Sequence, residues 1–415
     1  MSRVWAKGKP TMNAIRFVTA AAICVLLAVP QLSAQQAGPA QVKPEEGIPV
    51  GPFLFSPALE LTWESRDNIF FTPDNPVDDT IWLARARLLF ELPIYDSYLV
   101  FSYTPQYRDY SDYDLRENWS HFFTAGGVFE FPSGLKLDVG YRYVSGNLET
   151  REVDPGGEFV FGDRQFDKND VHLRADYWTS PTNGFSLEAG WVDLSYDKPA
   201  LFYDYTRTRY GIGWLHQISP TLTMNLKYVR ESFDADQTFK YRDSDSDSVL
   251  LELRGEINPV LHSSLEIGWR ATSFDTAPGD PGIDDFSSFV ARGSLMWELA
   301  HGSELVLDLL RWDYPSAYGL NAYYTATGGG LTYRLNRERL FGHISVKFQN
   351  NDYDIPDVDL GRTRSDDLTS YSLGLGYRFT RALSLRGAYM HGERDTLHPY
   401  SYDSNAFLVG LVLGF

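Results

Sequence analysis

The chain has 415 residues, 37 of them basic and 55 acidic, and a formal net charge of −18 at pH 7. Nucleic acid is excluded as a partner, because the phosphate backbone would repel so acidic a protein. Aromatic residues make up 15% of the chain, alongside 34 glycines, which favours an all-β protein. After the N-terminal segment, no apolar run is long enough to cross a bilayer as a helix.

The first 34 residues are predicted to be a secretory signal peptide. Four basic residues come first, followed by an apolar run over 17–29 and the small pair Ser33-Ala34, after which cleavage is expected. Cys24 is the only cysteine and lies within the apolar run, so the exported chain has no thiol or disulfide chemistry. Residues 35–52 are rich in Pro, Gly and Gln and are predicted to be a flexible periplasmic lead-in.

Residues 53–415 are predicted to form a transmembrane, up-and-down antiparallel β-barrel of about eighteen strands, within a range of 16 to 20. Short turn signals recur about every 41 residues, from 93–96 to 380–381, with longer Asp- and Tyr-rich stretches midway between them. Two strands of about ten residues, one short turn and one long loop fit this interval. The expected strand cores are 53–63, 80–92, 97–107, 119–131, 135–145, 169–179, 185–195, 205–217, 221–231, 247–257, 262–272, 288–299, 303–312, 323–335, 341–350, 369–379, 382–391 and 405–415. The even strand count places both termini in the periplasm of a Gram-negative bacterium.

Alternation assigns one apolar and one polar face to each predicted strand. The apolar faces carry aromatic residues near the strand ends, as lipid-facing surfaces of barrels do. The clearest apolar sets are Leu135, Leu137, Val139, Tyr141 and Tyr143; Tyr371, Leu373, Leu375, Tyr377 and Phe379; and Phe407, Val409, Leu411, Leu413 and Phe415. The last set ends the chain on Phe415 and resembles the C-terminal signature that the barrel-assembly machinery recognises. That machinery is therefore an expected partner, as are outer-membrane lipid and lipopolysaccharide.

The polar faces are predicted to line the lumen and to form salt bridges that stiffen the wall. Acid and base lie two or four residues apart on one face of several strands. The predicted pairs join Arg174 to Asp176, Arg254 to Glu252 and Glu256, and Arg270 to Glu266.

A basic stripe is predicted on the last strands of the barrel. It comprises Arg85, Arg87, Arg334, Lys347, Arg378 and Arg386, because barrel closure brings the first two beside the others. No inward acid lies on the same strands as the last four, and Glu60 and Glu91 are the acids expected nearby. Guanidinium groups bind carboxylate, sulfate or phosphate, so the stripe is expected to guide an anionic cargo. Alternatively, these cations pair with acidic loops folded into the lumen.

No metal site or cofactor is predicted. Asp243, Asp245 and Asp247 alternate as calcium ligands do in an EF-hand, but Ser248 and Arg254 replace the required glycine and glutamate. A second acidic stretch, which is expected to be a solvated loop, contains Asp352, Asp354, Asp357 and Asp359.

Catalysis has no motif to support it. The best candidate dyads are His172 near Asp176 and His121 near Ser120, and these histidines are expected to be ordinary wall or rim residues. The chain is therefore predicted not to be an enzyme.

The segment from Gly51-Pro52-Phe53 to Asp67-Asn68-Ile69-Phe70 resembles the first strand of the putative beta-barrel porin 2 family. In that family a Gly-Pro-Phe lead, a Pro, an alternating strand and a D-N-I/V-aromatic turn open the barrel. Barrel size, Asp- and Tyr-rich loops and the terminal Phe extend the resemblance along the chain. It implies an outer-membrane barrel often associated with exopolysaccharide export, with a periplasmic polysaccharide-export protein as partner. No individual functional residue is carried over.

The stripe, the pore-sized barrel and the resemblance predict export of an anionic exopolysaccharide through a mildly basic lumen. The alternative is a general or substrate-specific diffusion porin for small solutes. Such a porin would fold one long loop inward as a constriction, and residues 146–168 are the candidate. A closed adhesive barrel and an enzyme at the rim are the remaining alternatives.

Overall fold

The computed structural model describes residues 47–113, 119–147, 153, 156–158, 165–197, 202–275, 283–300, 302–316, 321–356, 361–397 and 400–414. The predicted signal peptide, most of the predicted lead-in and Phe415 lie outside these ranges. Within them, no helix has the length and apolar character needed to cross a membrane.

The described residues form nineteen strands and one short 3₁₀ helix, which lies between the tenth and eleventh strands. The strands are β1 Ile48–Val50, β2 Phe53–Arg66, β3 Asp79–Ile94, β4 Ser97–Tyr110, β5 Trp119–Glu130, β6 Leu135–Asn147, β7 Gln165–Trp178, β8 Asn183–Tyr196, β9 Tyr205–Ser219, β10 Leu222–Ala235, β11 Ser244–Asn258, β12 Leu261–Phe274, β13 Phe286–Ala300, β14 Ser303–Pro315, β15 Tyr323–Asn336, β16 Leu340–Pro356, β17 Thr363–Arg378, β18 Leu383–Asp395 and β19 Tyr402–Gly414, and the helix is Gln237–Arg242.

Strands β2 to β19 close into a barrel. Each pairs antiparallel with its neighbours in the chain, and β19 pairs with β2 from Ala406 opposite Arg66 to Gly414 opposite Ala58. The short β1 forms a hairpin with the start of β2. The prediction of an all-β, up-and-down transmembrane barrel of eighteen strands is confirmed.

The outer surface of the barrel is apolar because alternate side chains point outward. On β19 the four outward residues Phe407, Val409, Leu411 and Leu413 are between 37% and 52% exposed. The apolar residues predicted to face outward on β17 are exposed to a similar degree, whereas those predicted to face outward on β6 are only partly exposed. A continuous apolar surface of this kind is unfavourable in water, whereas the hydrocarbon of a bilayer covers it.

The two ends of the barrel differ. At one end the connections are short turns, such as the two residues between β3 and β4. At the other end the connections are long, such as residues 148–164 between β6 and β7. We call these the short-turn end and the long-loop end.

The turn after β2 fastens the closing seam at the long-loop end. The buried Asn68 amide donates to the carbonyls of Thr72 at 2.8 Å and Asp403 at 2.9 Å, and accepts from the Thr72 N–H at 3.1 Å. The Asp67 carboxylate accepts from the backbone and side-chain N–H groups of Asn405, both at 2.7 Å. Asp67 and Asn68 belong to the motif that resembles the porin family. In the structure they join β2 to β19, the first and last strands of the barrel.

Replacing Asn68 with alanine is expected to weaken this seam. The change removes three hydrogen bonds of a buried amide, at a cost on the order of 1–3 kcal/mol in the free energy of unfolding. The temperature at which the folded band disappears on a gel should fall. The matched control is Asn350→Ala on β16, whose amide bonds Ser365 and Asp367 at an exposed position. Equal losses of thermal stability in the two variants would show that the Asn68 hydrogen bonds do not strengthen the seam between β2 and β19.

Candidate functional site

A network of ion pairs lines the lumen on strands β7 to β13. We call it the charged belt, and it comprises Arg174, Asp176, Glu188, Arg209, Lys227, Glu252, Arg254, Glu266 and Arg292. At its centre, the Lys227 ammonium lies 3.1 Å from Glu188, 3.6 Å from Glu252 and 2.9 Å from Glu266. Only 6% of the Lys227 side chain is exposed, whereas Arg209 and Arg254 at the edge of the belt are 23% and 30% exposed.

The belt joins strands that are not neighbours in the barrel. Arg174 on β7 contacts Glu252 on β11 at 3.0 Å, and Arg254 on β11 contacts Asp176 on β7 at 3.1 Å. Three strands separate β7 from β11, so these bonds bridge a curved part of the wall and do not join neighbouring strands. The belt therefore fills this side of the barrel.

Not all of the predicted salt bridges form. The ion pair of Arg174 with Asp176 is present at 2.9 Å. Arg254 forms its ion pair with Asp176 and interacts electrostatically with Glu252 at longer range, whereas an ion pair with Glu256 is absent among the described residues.

The predicted pair of Arg270 with Glu266 is wrong. Arg270 forms an ion pair with Glu231 at 2.8 Å, and Glu266 forms one with Arg292 at 2.7 Å. Residues four positions apart on one strand are about 13 Å apart, whereas cross-strand neighbours such as Glu266 and Arg292 are about 5 Å apart, so the pair between strands forms instead.

The predicted basic stripe lies on the opposite wall, and acids partly neutralise it. Glu60 on β2 forms ion pairs with both Arg386 and Arg85, the latter at 3.8 Å. Arg85 also donates to the Gln106 side chain at 2.6 Å. Arg87 interacts electrostatically with Glu91 on the same strand. One carboxylate, Glu60, thus serves two guanidinium groups.

Two further members of the stripe lie near acids on a neighbouring strand. The prediction did not include these acids because it considered only acids on the same strand as each cation. Arg334 lies directly opposite Glu304 in the β14–β15 register and forms an ion pair at 3.7 Å. The Lys347 side chain lies over Gly330 and interacts electrostatically with Asp308 on the far side of that glycine. The expectation that Glu60 and Glu91 are the only acids near the stripe is therefore wrong.

Arg378 does not belong to the lumen stripe. It lies at the short-turn end, where it donates to the Arg337 carbonyl and the Asn336 side chain, both at 2.8 Å. Its guanidinium also lies 4.5 Å from the centre of the Phe341 ring. These contacts hold the β15–β16 turn.

The connection between β6 and β7 reaches the opposite wall. It leaves β6 at Asn147 and enters β7 at Gln165, and its described residues 156–158 contact the far side of the barrel. The contacts are Gln349 and Asn351 donating to the Gly156 carbonyl, Arg394 donating to the Gly157 carbonyl at 3.0 Å, and Ser316 donating to the Glu158 carboxylate at 2.6 Å. Strand β16, which carries Gln349 and Asn351, lies nine strands from β7, half-way round the eighteen-strand barrel. We call residues 156–158 the crossing segment.

Other long loops meet the crossing segment at Ser316. The Tyr203 hydroxyl and the Arg242 guanidinium both donate to the Ser316 carbonyl. Burial raises the pKa of the Tyr203 phenol to about 12, so the group stays protonated and able to donate. Tyr203, Arg242, Ser316 and Glu158 are all at most 5% exposed. The long-loop end is therefore narrowed by a packed cluster.

Small side chains line the wall formed by β15 to β19. The inward positions on these strands include Gly328, Gly330, Thr332, Ser345, Ser370, Ser372, Gly374, Gly376, Ser384, Ala388, Gly392 and Gly410. A Cβ added at Gly392 would meet nothing within 4 Å, so this part of the wall faces open space. Longer side chains cover other glycines of this wall, since His343 lies over Gly374, Phe341 over Gly376 and Arg386 over Gly410.

The candidate dyads do not form. His172 bonds Asp138 at 3.5 Å instead of Asp176, because Asp138 lies beside it on β6. His121 points outward, stacked on Trp119 and bonded to Tyr103 at 3.0 Å, whereas Ser120 is buried on the opposite face.

The acidic stretches show no ligand set in the part of the chain that the structure describes. No group of three or more His, Cys, Asp or Glu side chains there could hold a metal ion. Asp245 and Asp247 instead pair with Arg230 at 2.7 and 3.5 Å. Asp357 and Asp359 lie outside the described residues.

Residues 217–415 match the family model described as putative beta-barrel porin 2. The match covers slightly less than half of the chain, and it does not include the Gly51–Phe70 segment that carried the resemblance. The similarity is thus to the second half of the barrel. A comparison with curated proteins finds no match.

Several solved structures share the outline of the fold at low identity. OccAB3 of Acinetobacter baumannii is 11% identical, with 88% of this chain and 100% of that chain covered and a TM-score of 0.47. The outer membrane protein opdK of Pseudomonas aeruginosa is 12% identical, with 87% and 99% covered and a TM-score of 0.46. Similarity at this level carries no information on what passes through the lumen.

Proposed function

We propose that the protein is an integral outer-membrane channel for small solutes, with its short-turn end and both termini in the periplasm. The observation that carries the proposal is the crossing segment, which narrows the long-loop end by bonding to the opposite wall. A wide conduit for a polymer would not need such a constriction. The apolar outer surface and the family match over residues 217–415 support the membrane assignment.

The path through this channel follows the small-residue wall. The charged belt on the other side is internally paired, so it acts as a stiff lining and presents little net charge to a solute. Along the path, Arg85, Lys347 and Arg386 place positive charge on the lumen wall, with Glu60 and Asp308 as acidic neighbours. Positive charge in a narrow pore raises the local concentration of anions, so the channel should prefer them.

Solute size tests the proposal. Liposomes that contain the purified barrel should swell rapidly in a monosaccharide and about tenfold more slowly in a tetrasaccharide, because the constriction excludes larger molecules. Equal rates for the two sugars would show that the long-loop end is not a constriction.

Export of an anionic exopolysaccharide is the second candidate. The small-residue wall with Lys347 and Arg386 favours it, because an extended acidic chain could slide along such a surface. The crossing segment would have to leave the opposite wall. Deletion of the gene, with sugar analysis of surface and periplasmic fractions, separates the candidates: loss of one surface glycan and its periplasmic accumulation would establish export.

Neutralising the stripe should change ion selectivity. Arg386→Gln leaves Glu60 with a single guanidinium partner, so the reversal potential in a salt gradient should move toward cations by several millivolts. Arg378→Gln is the matched control, because Arg378 holds a turn at the short-turn end. Identical shifts in both variants, or none in either, would remove the stripe from the mechanism.

A further inference from the structure

Three exposed arginines lie in two turns at the short-turn end. Arg337 and Arg339 belong to the turn between β15 and β16, and Arg381 belongs to the turn between β17 and β18. We call them the rim arginines. The other short turns that the structure describes in full contain no Lys or Arg, and they are residues 51–52, 95–96, 131–134, 179–182, 220–221 and 259–260.

The two turns are bonded to each other. The backbone N–H of Arg378 donates to the Arg339 carbonyl at 2.8 Å, and its guanidinium donates to the Arg337 carbonyl at 2.8 Å. The Arg337 N–H closes its own turn by donating to the Leu340 carbonyl at 2.8 Å. The rim arginines therefore project from a fixed backbone, which limits the entropy lost when they bind a ligand.

Positive charge exceeds negative charge in these two turns. Glu338 is the one acid among their residues, 337–339 and 379–382, against the three rim arginines. Beside the turns, Arg334 is paired with Glu304, and Arg378 is a further cation. This excess of positive charge stands out in a chain whose net charge is −18.

Arg339 lies on the lipid side of its turn. Its guanidinium donates to the Tyr377 hydroxyl at 3.3 Å. Tyr377 and Phe379 point outward and are 39% and 52% exposed, and Leu340 is 39% exposed. Outward aromatic side chains at the ends of barrel strands mark the boundary between hydrocarbon and headgroups. Arg339 therefore lies at the height of the lipid phosphates.

We propose that the rim arginines bind the phosphate of an anionic phospholipid in the periplasmic leaflet, with an acyl chain against Tyr377 and Phe379. Guanidinium groups bind phosphate through charge-assisted hydrogen bonds, and clustered cations at a membrane surface attract anionic lipid. The exposed rings favour a ligand that has both a phosphate and apolar chains, whereas an acidic protein would need only the charge. The inference goes beyond the proposed function, and it shares with it only the orientation of the barrel in the outer membrane.

Native mass spectrometry of the folded, detergent-purified barrel tests the proposal. Phosphatidylglycerol should stay bound, and phosphatidylcholine with the same acyl chains should bind about fivefold more weakly, because its headgroup has no net charge. A double variant with Arg339→Gln and Arg381→Gln should bind phosphatidylglycerol about tenfold more weakly than the unchanged protein. Equal binding of the two lipids to the unchanged protein would overturn the role of the arginines.

The matched control removes two outward arginines nearer the long-loop end, through Arg230→Gln and Arg311→Gln in one protein. Arg230 is exposed on β10, and Arg311 on β14 donates to Thr327 at 2.8 Å. The control lowers the net charge as much as the test variant does, and it should bind phosphatidylglycerol within about twofold of the unchanged protein. Equal losses in the two double variants would overturn the site.

Competition separates a lipid from other anions. Neither glycerol phosphate, which has the phosphate without acyl chains, nor polyglutamate should displace phosphatidylglycerol at equal concentration. Displacement by glycerol phosphate would show a site for free phosphate esters, and displacement by polyglutamate would show a site for an acidic protein. Either result would overturn the lipid site.

The lipid site and the channel fail in distinguishable ways. A barrel that binds phosphatidylglycerol selectively but passes no solute would retain the lipid site and contradict the channel. A barrel that conducts ions but binds both lipids equally would retain the channel and overturn the lipid site.

Discussion

Replacing Gly156 with valine should open the long-loop end and raise single-channel conductance about twofold or more. Gly156 is buried, and a Cβ at this position would collide with the Tyr324 hydroxyl and the Tyr314 ring. Both rings belong to the packed interior of the opposite wall, so they have little room to yield. The crossing segment must therefore withdraw from that wall.

The control for this variant is Gly392→Val. Gly392 also faces the lumen, but a Cβ there meets nothing within 4 Å. Conductance in planar bilayers should stay the same or fall slightly, because the new side chain only adds bulk to an open region. Unchanged conductance of the Gly156 variant, in protein that migrates as a folded barrel, would contradict the constriction.

Replacing Lys227 with methionine should destabilise the barrel strongly. Lys227 is the shared cation of Glu188, Glu252 and Glu266, and its removal takes one cation from each of these largely buried carboxylates and leaves them to the arginines of the belt. Breaking a buried ion pair from one side costs about 3–5 kcal/mol. The urea concentration or temperature at which the folded band is lost should fall markedly.

Arg230→Met is the matched control, since it removes a cation from the same strand. Arg230 is 52% exposed and pairs with Asp245 and Asp247 at the barrel surface. Exposed ion pairs contribute about 1 kcal/mol or less. If the two variants unfolded at the same point, the charged belt would not be a stabilising element.

Strand positions could be predicted from the sequence because alternation and short turns are local signals. All eighteen expected cores fall on strands of the barrel and extend beyond the strand ends by at most one residue. The prediction stopped too early at the long-loop end, where β16 continues to Pro356 and β17 begins at Thr363. In that region polar residues such as Asn350 and Ser365 occupy the outward face, so the apolar alternation that marks a membrane strand is absent.

The lumen contacts could be predicted only in part. Residues 146–168 were a reasonable candidate for an inward loop, because a long connection has the length to cross a barrel. Its partners, such as Ser316 and Arg394, depend on the closed shape and leave no local signal. The same holds for Arg254 and Asp176, which lie 78 residues apart in sequence and meet because the wall curves between β7 and β11.

The most direct test of the channel is a planar-bilayer recording of the purified, folded barrel in a salt gradient. The proposal predicts discrete conductance steps with a reversal potential displaced toward the anion. Folded barrel that inserts into the bilayer yet gives no steps would contradict it.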